Sequence, residues 1–297
     1  MISDGQGAIV VTGAGGFVGS HLTVSLIGRG FDVVPIARTN EGATAAVPPL
    51  IVGDLADPDT LAGLPTRVRC IVHAAANSGR TRDDPHSMFR DNLVATRNVL
   101  DFAKRSFCSR IVYLSSVSIH GRVEESVLDA TTPVRSPDVY GRTKLEAEQV
   151  LASDPEVSVI ALRLPGVLGT GAPEHWIGSL AARASRGEPL TCVNPEGLFN
   201  NVVDVDDLTT FVADVIEGDS WPCFDAFPLA STYPITVLET LALIRDTFDG
   251  RSEIVSLGDR PPRFVIDDSH ARREYGYRSS RTTEVIRRFA QGVKLDG

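Results

Sequence analysis

Residues 11–19 read VTGAGGFVG. They follow an apolar run, residues 8–11, and precede residues 20–30, where Leu22, Leu26 and Ile27 recur at helical spacing. Strand, glycine turn and helix in that order are the context in which a dinucleotide fingerprint carries meaning, because glycine also breaks strands for purely structural reasons. In that context Gly13 gives the tight turn, Gly16 lets backbone amides approach a pyrophosphate, and Gly19 lets the helix sit close against the strand. The phosphate then meets the positive end of the helix, with Phe17 and Val18 as adjoining cofactor positions.

Working outward, residues 32–38 (DVVPIAR) read as a second parallel strand. An acidic residue at its end would bind the adenosine ribose hydroxyls and exclude a 2′-phosphate, whereas an arginine can pair with that phosphate. Arg38 stands there, followed by Thr39 and Asn40, which leans the cofactor from NAD towards NADP; an arginine stacked on adenine would accept either. Residues 50–52 give a short strand leading to Asp54 and Leu55, with Asp54 placed to accept from an adenine amino group. Residues 70–76 (CIVHAAA) give the next, where the small Ala74, Ala75 and Ala76 let backbone lie against the cofactor. His73, inside that apolar strand, reads as structural. Residues 91–107 form a helix with Leu93, Val94, Val99, Leu100 and Ala103 on its apolar face, and residues 110–116 (RIVYLSS) a buried strand ending in hydroxyls.

This alternation indicates an α/β fold, a doubly wound parallel sheet of Rossmann type, whose ligands bind beyond the carboxyl ends of the strands. A helix opens near residue 139 and runs to about residue 151, and a strand follows at residues 157–162. From Arg163 the texture becomes glycine and proline punctuated. Residues 175–186, 206–217, 238–248 and 281–291 read as later helices and residues 198–205 as extended. The second half forms a smaller interleaved C-terminal α/β lobe. The expected division is residues 1–165 plus about 202–230 for the dinucleotide domain, and about 166–201 plus 231–297 for a substrate-binding lobe.

Tyr140 and Lys144 lie four apart, so both side chains leave one helix face one turn apart. A phenol titrates near pH 10 and is a poor base at neutrality. A neighbouring ammonium and the positive nicotinamide ring favour the phenolate. Ser116, at a sheet end, can hydrogen-bond the same substrate oxygen. Together the three move a proton on or off a carbinol oxygen while a nicotinamide exchanges hydride at that carbon, and Lys144 also anchors the nicotinamide ribose. On an ordinary solvated helix a Tyr–Lys pair means nothing; downstream of the fingerprint it reads as catalytic.

Composition fits that reading. The chain has 297 residues, is 42% apolar and 23% charged, and carries a net charge of −9, which argues against nucleic acid and anionic membrane as main partners. No apolar run approaches the roughly 18–20 residues that span a bilayer. The start, MISDGQG, shows no secretory pattern, so a cytoplasmic location is expected. Cys70, Cys108, Cys192 and Cys223 lack paired spacing and read as reduced thiols; no metal site is expected.

The residues quoted above, with His73-Ala74-Ala75, Asn92, Thr96 and Asn98, Ser115-Ser116 leading to Gly121, residues 163–171 and Asp204-Val205-Asp206-Asp207-Leu208, resemble the extended short-chain dehydrogenase/reductases over nearly the whole chain. That family includes nucleotide-sugar epimerases, dehydratases and 4-ketoreductases. The resemblance implies Ser116, Tyr140 and Lys144 as the catalytic set. Asn92 and Pro165 join the cofactor positions, Asn92 being more structural than catalytic. It also implies Ser118, Gly166, Val167 and Asn200 as substrate-binding positions, with Arg260 or Arg263 supplying charge to a diphosphate, and a homodimer built on the Asn92 and Tyr140 helices. Two departures bear on substrate. Nucleotide-sugar members carry an asparagine in the segment here reading Arg163-Leu164-Pro165-Gly166-Val167, which has none, and an arginine where this chain has Asn200-Asn201. An amide supplies neither charge nor a bidentate fork. The expected activity is an NAD(P)-dependent epimerase or ketoreductase of a nucleotide-activated sugar. The alternatives are an NADPH-dependent reductase of a non-nucleotide ketone, aldehyde or lactone, and a non-catalytic NAD(P)-sensing protein.

Overall fold

Strand β1, Ala8–Thr12, is buried along its whole length, as a strand covered on both faces must be. In the computed structural model, which describes residues 7–40, 48–79, 84–172, 175–219, 221–258 and 264–296, it lies inside a seven-stranded sheet. Its neighbours are β2 (Val33–Ala37), followed by β3 (Ile51–Val52), on one side, and β4 (Val68–His73), followed by β5 (Arg110–Ser116), on the other. These five strands pair in parallel. Beyond β5 lie Ser158–Leu164 and then Phe224–Pro228. The strand order reverses direction at β1 and β4, and at such a switch point the carboxyl ends diverge into a crevice.

Register brings three residues into one row. Thr12, the last residue of β1, pairs with His73, the last of β4, and His73 with Tyr113, three residues before the end of β5. The apolar side chains of one sheet face, including Val10, Ile71 and Ile111, pack with Val99 and Ala103 of helix α3 (Ala95–Arg105) and Ala147 and Leu151 of helix α4 (Val139–Ala152).

Contacts divide the chain into two compact units, residues 1–122, 134–163 and 209–227, and residues 123–133, 164–208 and 228–297. The second has its own core, with Ile177, Leu180, Leu241, Ile244, Val285 and Ile286 from the helices Trp176–Ser185, Val237–Thr247 and Thr282–Asp296. Its strand Gly166–Leu168 pairs in parallel with Val202–Asp204. No helix among the described residues is long and apolar enough to cross a membrane. Cys70, Cys108 and Cys192 are buried and Cys223 is exposed.

Several element limits differ from the sequence reading, for local reasons. Helix α1 is Phe17–Gly28, three residues earlier than the apolar periodicity suggests, because Gly16 serves as its N-cap and the first turn carries no periodic apolar residue. The helix expected at residues 91–107 begins at helix α2 (Pro85–Phe89), where Asp84 caps it and proline takes an early position that needs no donor. It then passes through a π turn, Arg90–Val94, before α3. Residues 198–205 are not one extended run: Leu198–Phe199 and Val202–Asp204 are separate strands, the latter leading into the helix Val205–Glu217.

The turn after β1 is set by backbone crowding. Gly13 has φ +71°, and a Cβ there would lie 2.7 Å from the Ala75 backbone; a Cβ on Gly19 would lie 2.1 Å from the Gly13 carbonyl oxygen. Gly19 therefore seats α1 on the turn rather than on the strand. Gly19→Ala is expected to cost about 3 kcal/mol or more, because backbone must move. Gly28→Ala, whose added methyl would meet nothing within 4 Å, is expected to stabilise by about 0.5–1 kcal/mol. Urea denaturation of the two variants against the parent chain checks both signs.

Candidate functional site

The glycine turn and the amino end of α1 form one half of the site. Gly16 is exposed, the helix has no side-chain cap, and its first turn has no acidic residue, so its first amides are left without a side-chain acceptor. An anion is the complement such an end lacks. A Cβ on Gly16 would meet only the Gly13 carbonyl oxygen, at 3.3 Å, so the bare backbone there is open to an approach from outside. Thr12 accepts the Ala75 amide (3.3 Å), which ties the loop after β4, with Ala74 and Ala75 half-buried and Ala76 exposed, to the end of β1. The residues present fit a dinucleotide.

Four charges stand beyond β2 and β3. Arg38 bonds Asp91 (2.9 Å), Arg90 bonds the other oxygen of Asp91 (3.0 Å), and Arg90 also pairs with Asp54 (2.5 Å). Asn77 donates to Asp91 as well (3.1 Å). Asp91 is 2% exposed and Arg38 53%. Burial alone would raise Asp54, but the Ala56 amide and the Arg90 guanidinium outweigh it and hold the carboxyl below the ordinary range. Leu55 is buried, and its carbonyl accepts from Asn98 (2.8 Å). Arg90 and Asp91 carried no sequence signal, because neither is part of a motif and the π turn that aims them has no pattern of its own.

Asn92 is a strap. Its amide oxygen accepts the Asn77 amide (2.6 Å), and its nitrogen donates to the Asn77 carbonyl (2.9 Å) and to Thr143 Oγ1 (2.8 Å). Thr143 in turn donates to the Tyr140 carbonyl (2.8 Å), so the loop after β4 is fastened to the first turn of α4. That turn is also capped by Asp138, which accepts the Gly141 amide (2.7 Å). Gly141 is where α4 touches β5's exit: a Cβ there would stand 2.1 Å from the Ser118 carbonyl oxygen. The approach sets half-buried Tyr140 beside the short helical turn Val117–His120, which Ser116 caps by accepting the Ser118 amide (3.1 Å).

Lys144 is 1% exposed. Its ammonium stands 4.1 Å from the centroid of the Tyr113 ring, and among the described residues no hydrogen-bond acceptor holds it. Burial lowers its pKa from 10.5 to about 7 against the opposing pull of Glu148. Glu148, one turn further along α4, is buried and receives Ser115 Oγ (2.5 Å) and two bonds from Arg163 (2.9 and 3.2 Å). His73 is structural, as its apolar strand suggested: it bridges Thr12 (2.7 Å) and Thr96 (3.0 Å), and burial, aided by Lys144, depresses it to about 3. Tyr113, Glu148 and Arg163 were missed in the sequence. Glu148 extends the Tyr140–Lys144 spacing by another four residues, a signal that was available; Tyr113 is visible only through register.

Of the remaining sequence candidates, Pro165, Gly166, Val167 and Asn200 belong to the second unit. Asn200 is buried; its nitrogen donates to the Ser231 and Ile266 carbonyls (3.2 and 2.9 Å) and its oxygen accepts the Ile266 amide (2.8 Å). Arg260 and Arg263 lie outside the described residues.

The buried ammonium sets a sign. The unfolded chain keeps the Lys144 proton up to about pH 10.5 whereas the folded chain releases it near 7, so this group makes stability rise with pH between those values. Lys144→Met is therefore expected to stabilise, by about 1–3 kcal/mol at pH 7 and less as the pH approaches 10. Urea midpoints across that range, compared with the parent chain, check the slope.

A family model described as the NAD dependent epimerase/dehydratase family matches residues 9–220. A UDP-glucose 4-epimerase of Pisum sativum is 27% identical over 225 residues, 68% of this chain and 60% of that protein. The chain thus spans about 60% of the length of that curated relative. A solved UDP-galactose 4-epimerase is 25% identical, with a TM-score of 0.80 over 97% of this chain and 99% of that one. A Thermus thermophilus UDP-glucose 4-epimerase solved with NAD is 23% identical, with a TM-score of 0.79 over 97% and 99% of the two chains.

Proposed function

Because the chain belongs to the NAD dependent epimerase/dehydratase family, we propose that it is an NAD-dependent epimerase that inverts a secondary alcohol of a nucleotide-activated sugar through its ketone. The observation that carries the reading is the meeting, at the carboxyl ends of β1, β4 and β5, of an uncapped glycine cradle with Ser116 and the Tyr140–Lys144 face of α4. The names of the UDP-glucose and UDP-galactose 4-epimerases support UDP as the nucleotide and the sugar 4-position as the centre. When bound, the dinucleotide supplies a hydride acceptor and donor. Gly16 and the amides of Phe17 and Val18 would hold its pyrophosphate, on a turn that Gly13 and Gly19 shape. Tyr140 takes the proton of the sugar hydroxyl at its phenolate oxygen and later returns it. The Ser116 hydroxyl holds the same substrate oxygen. The N–H groups of Lys144, which no acceptor among the described residues engages, bind the nicotinamide ribose.

Arg38 and Arg90 are balanced by Asp54 and Asp91. That balance leaves no excess positive charge among these four groups for a 2′-phosphate and supports NAD over the NADP that Arg38 alone suggested. Calorimetry is expected to find NAD bound at least tenfold more tightly than NADP, and Asp91→Asn, which loosens both arginines, is expected to narrow the gap. NADP preference in the parent chain would reverse the assignment.

The activity test is proton NMR of UDP-glucose and UDP-galactose incubated with the protein and NAD. Interconversion is expected, and Tyr140→Phe should lower it by about 10²–10³-fold. A second reading, reduction of a non-nucleotide ketone, aldehyde or lactone, is supported by the engaged amide of Asn200, which offers a diphosphate neither charge nor a free donor. Absence of binding by UDP, GDP and dTDP would replace the first reading with the second.

A further inference from the structure

The charge on Lys144 has one direct partner among the described residues. Tyr113 from β5 lies against the ammonium, and His73 from β4 and Glu148 from α4 interact with its charge; Tyr140 lies one turn earlier on α4, and Arg163, from the strand Ser158–Leu164, binds Glu148. His73 is held neutral and offers no negative charge. Glu148 is the anion of the group, but Arg163 grips both its oxygens, and the pair together exerts far less pull than a lone carboxylate would. What touches the ammonium is the face of the Tyr113 ring, 4.1 Å from its centroid, within the range in which a desolvated cation is attracted to an aromatic quadrupole.

Tyr113 is itself rigidly placed. It is 1% exposed, it is registered opposite His73, and the two rings are tilted together at 5.5 Å. Its hydroxyl, buried beside Thr96, makes no hydrogen bond of normal geometry, so the ring and not the hydroxyl is the functional part. We propose that Tyr113 is a positioning residue, whose ring face holds the Lys144 ammonium in place and in its charged form, so that proton transfer at Tyr140 depends on an aromatic ring at position 113. The proposal rests on the reading of Tyr140 and Lys144 as the active pair.

The chain contains only three lysines, Lys104, Lys144 and Lys294, which makes the test direct. The full-length protein is labelled with ¹³C,¹⁵N-lysine, and the Lys144 side-chain resonance, assigned by Lys104→Arg and Lys294→Arg, is followed from pH 5 to 11. Tyr113→Phe keeps the ring and removes only an unpaired hydroxyl; its Lys144 midpoint is expected to stay at the parent value. Tyr113→Leu keeps an apolar side chain without the quadrupole, and its midpoint is expected to fall by about one pH unit, a tenfold loss of proton affinity. Pentafluorophenylalanine introduced at position 113 keeps the shape and inverts the quadrupole, so it reports even if Tyr113→Leu fails to fold, and the same fall is expected. With an active substrate in hand, the rising limb of the kcat/KM pH profile should move upward in the Leu and fluorinated proteins and return in Tyr113→Phe. An unchanged Lys144 midpoint in the fluorinated protein overturns the proposal. Absence of turnover in the parent chain fails the functional reading instead, and the lysine titration still judges the hold of the ring.

Discussion

Three parallel strands that share one row of side chains are the constraint on which the rest depends. Because the last residues of β1 and β4 are registered on Tyr113 of β5, Thr12, His73 and Tyr113 form a line of side chains across the sheet. Each contact in that line is specific: hydroxyl to imidazole, imidazole against phenol ring, ring under ammonium. The glycine turn hangs from one end of the line and Lys144 rests on the other. A register slip of one residue would reverse every face and separate the two.

The sequence announced the ends of this line better than its middle. Residues 11–19 and the spacing of Tyr140 and Lys144 are local patterns, and local patterns survive without knowledge of the fold. Apolar periodicity also located most of the strands and helices, since burial of a face is written into the order of residues. Tyr113 and Arg163 act through contacts made by strand pairing and helix docking, so nothing near them in the chain distinguishes them from ordinary core. The start of α1 was missed for a related reason: Gly16 caps it through backbone geometry, and a glycine leaves no periodic mark. Asn200 shows what a motif position leaves out. An amide at a position associated with ligand contact was read as facing a ligand, whereas its three hydrogen bonds close onto the backbone of its own unit.

A buried lysine is costly to fold, and the charged groups of the same unit are arranged as local pairs instead of a pool. Glu148 with Arg163, and Asp54 and Asp91 with Arg38 and Arg90, each neutralise one another within a few ångströms. That arrangement confines electrostatic influence to immediate neighbours and leaves an aromatic face as the partner of an ammonium to which, among the described residues, no carboxylate is bonded.

The π turn at Arg90–Val94 adds a residue to what would otherwise be one α-helical run from Pro85 to Arg105. One extra residue turns a helix by about 100°. Within that turn Asp91 reaches the arginines while its neighbour Asn92 reaches Thr143 on α4. Adjacent residues thus serve opposite ends of one site from a single irregular turn. On the proposed function this turn couples cofactor preference to catalytic geometry, and a one-residue insertion or deletion in this helix would disturb both at once, however well the remainder of the fold tolerated it.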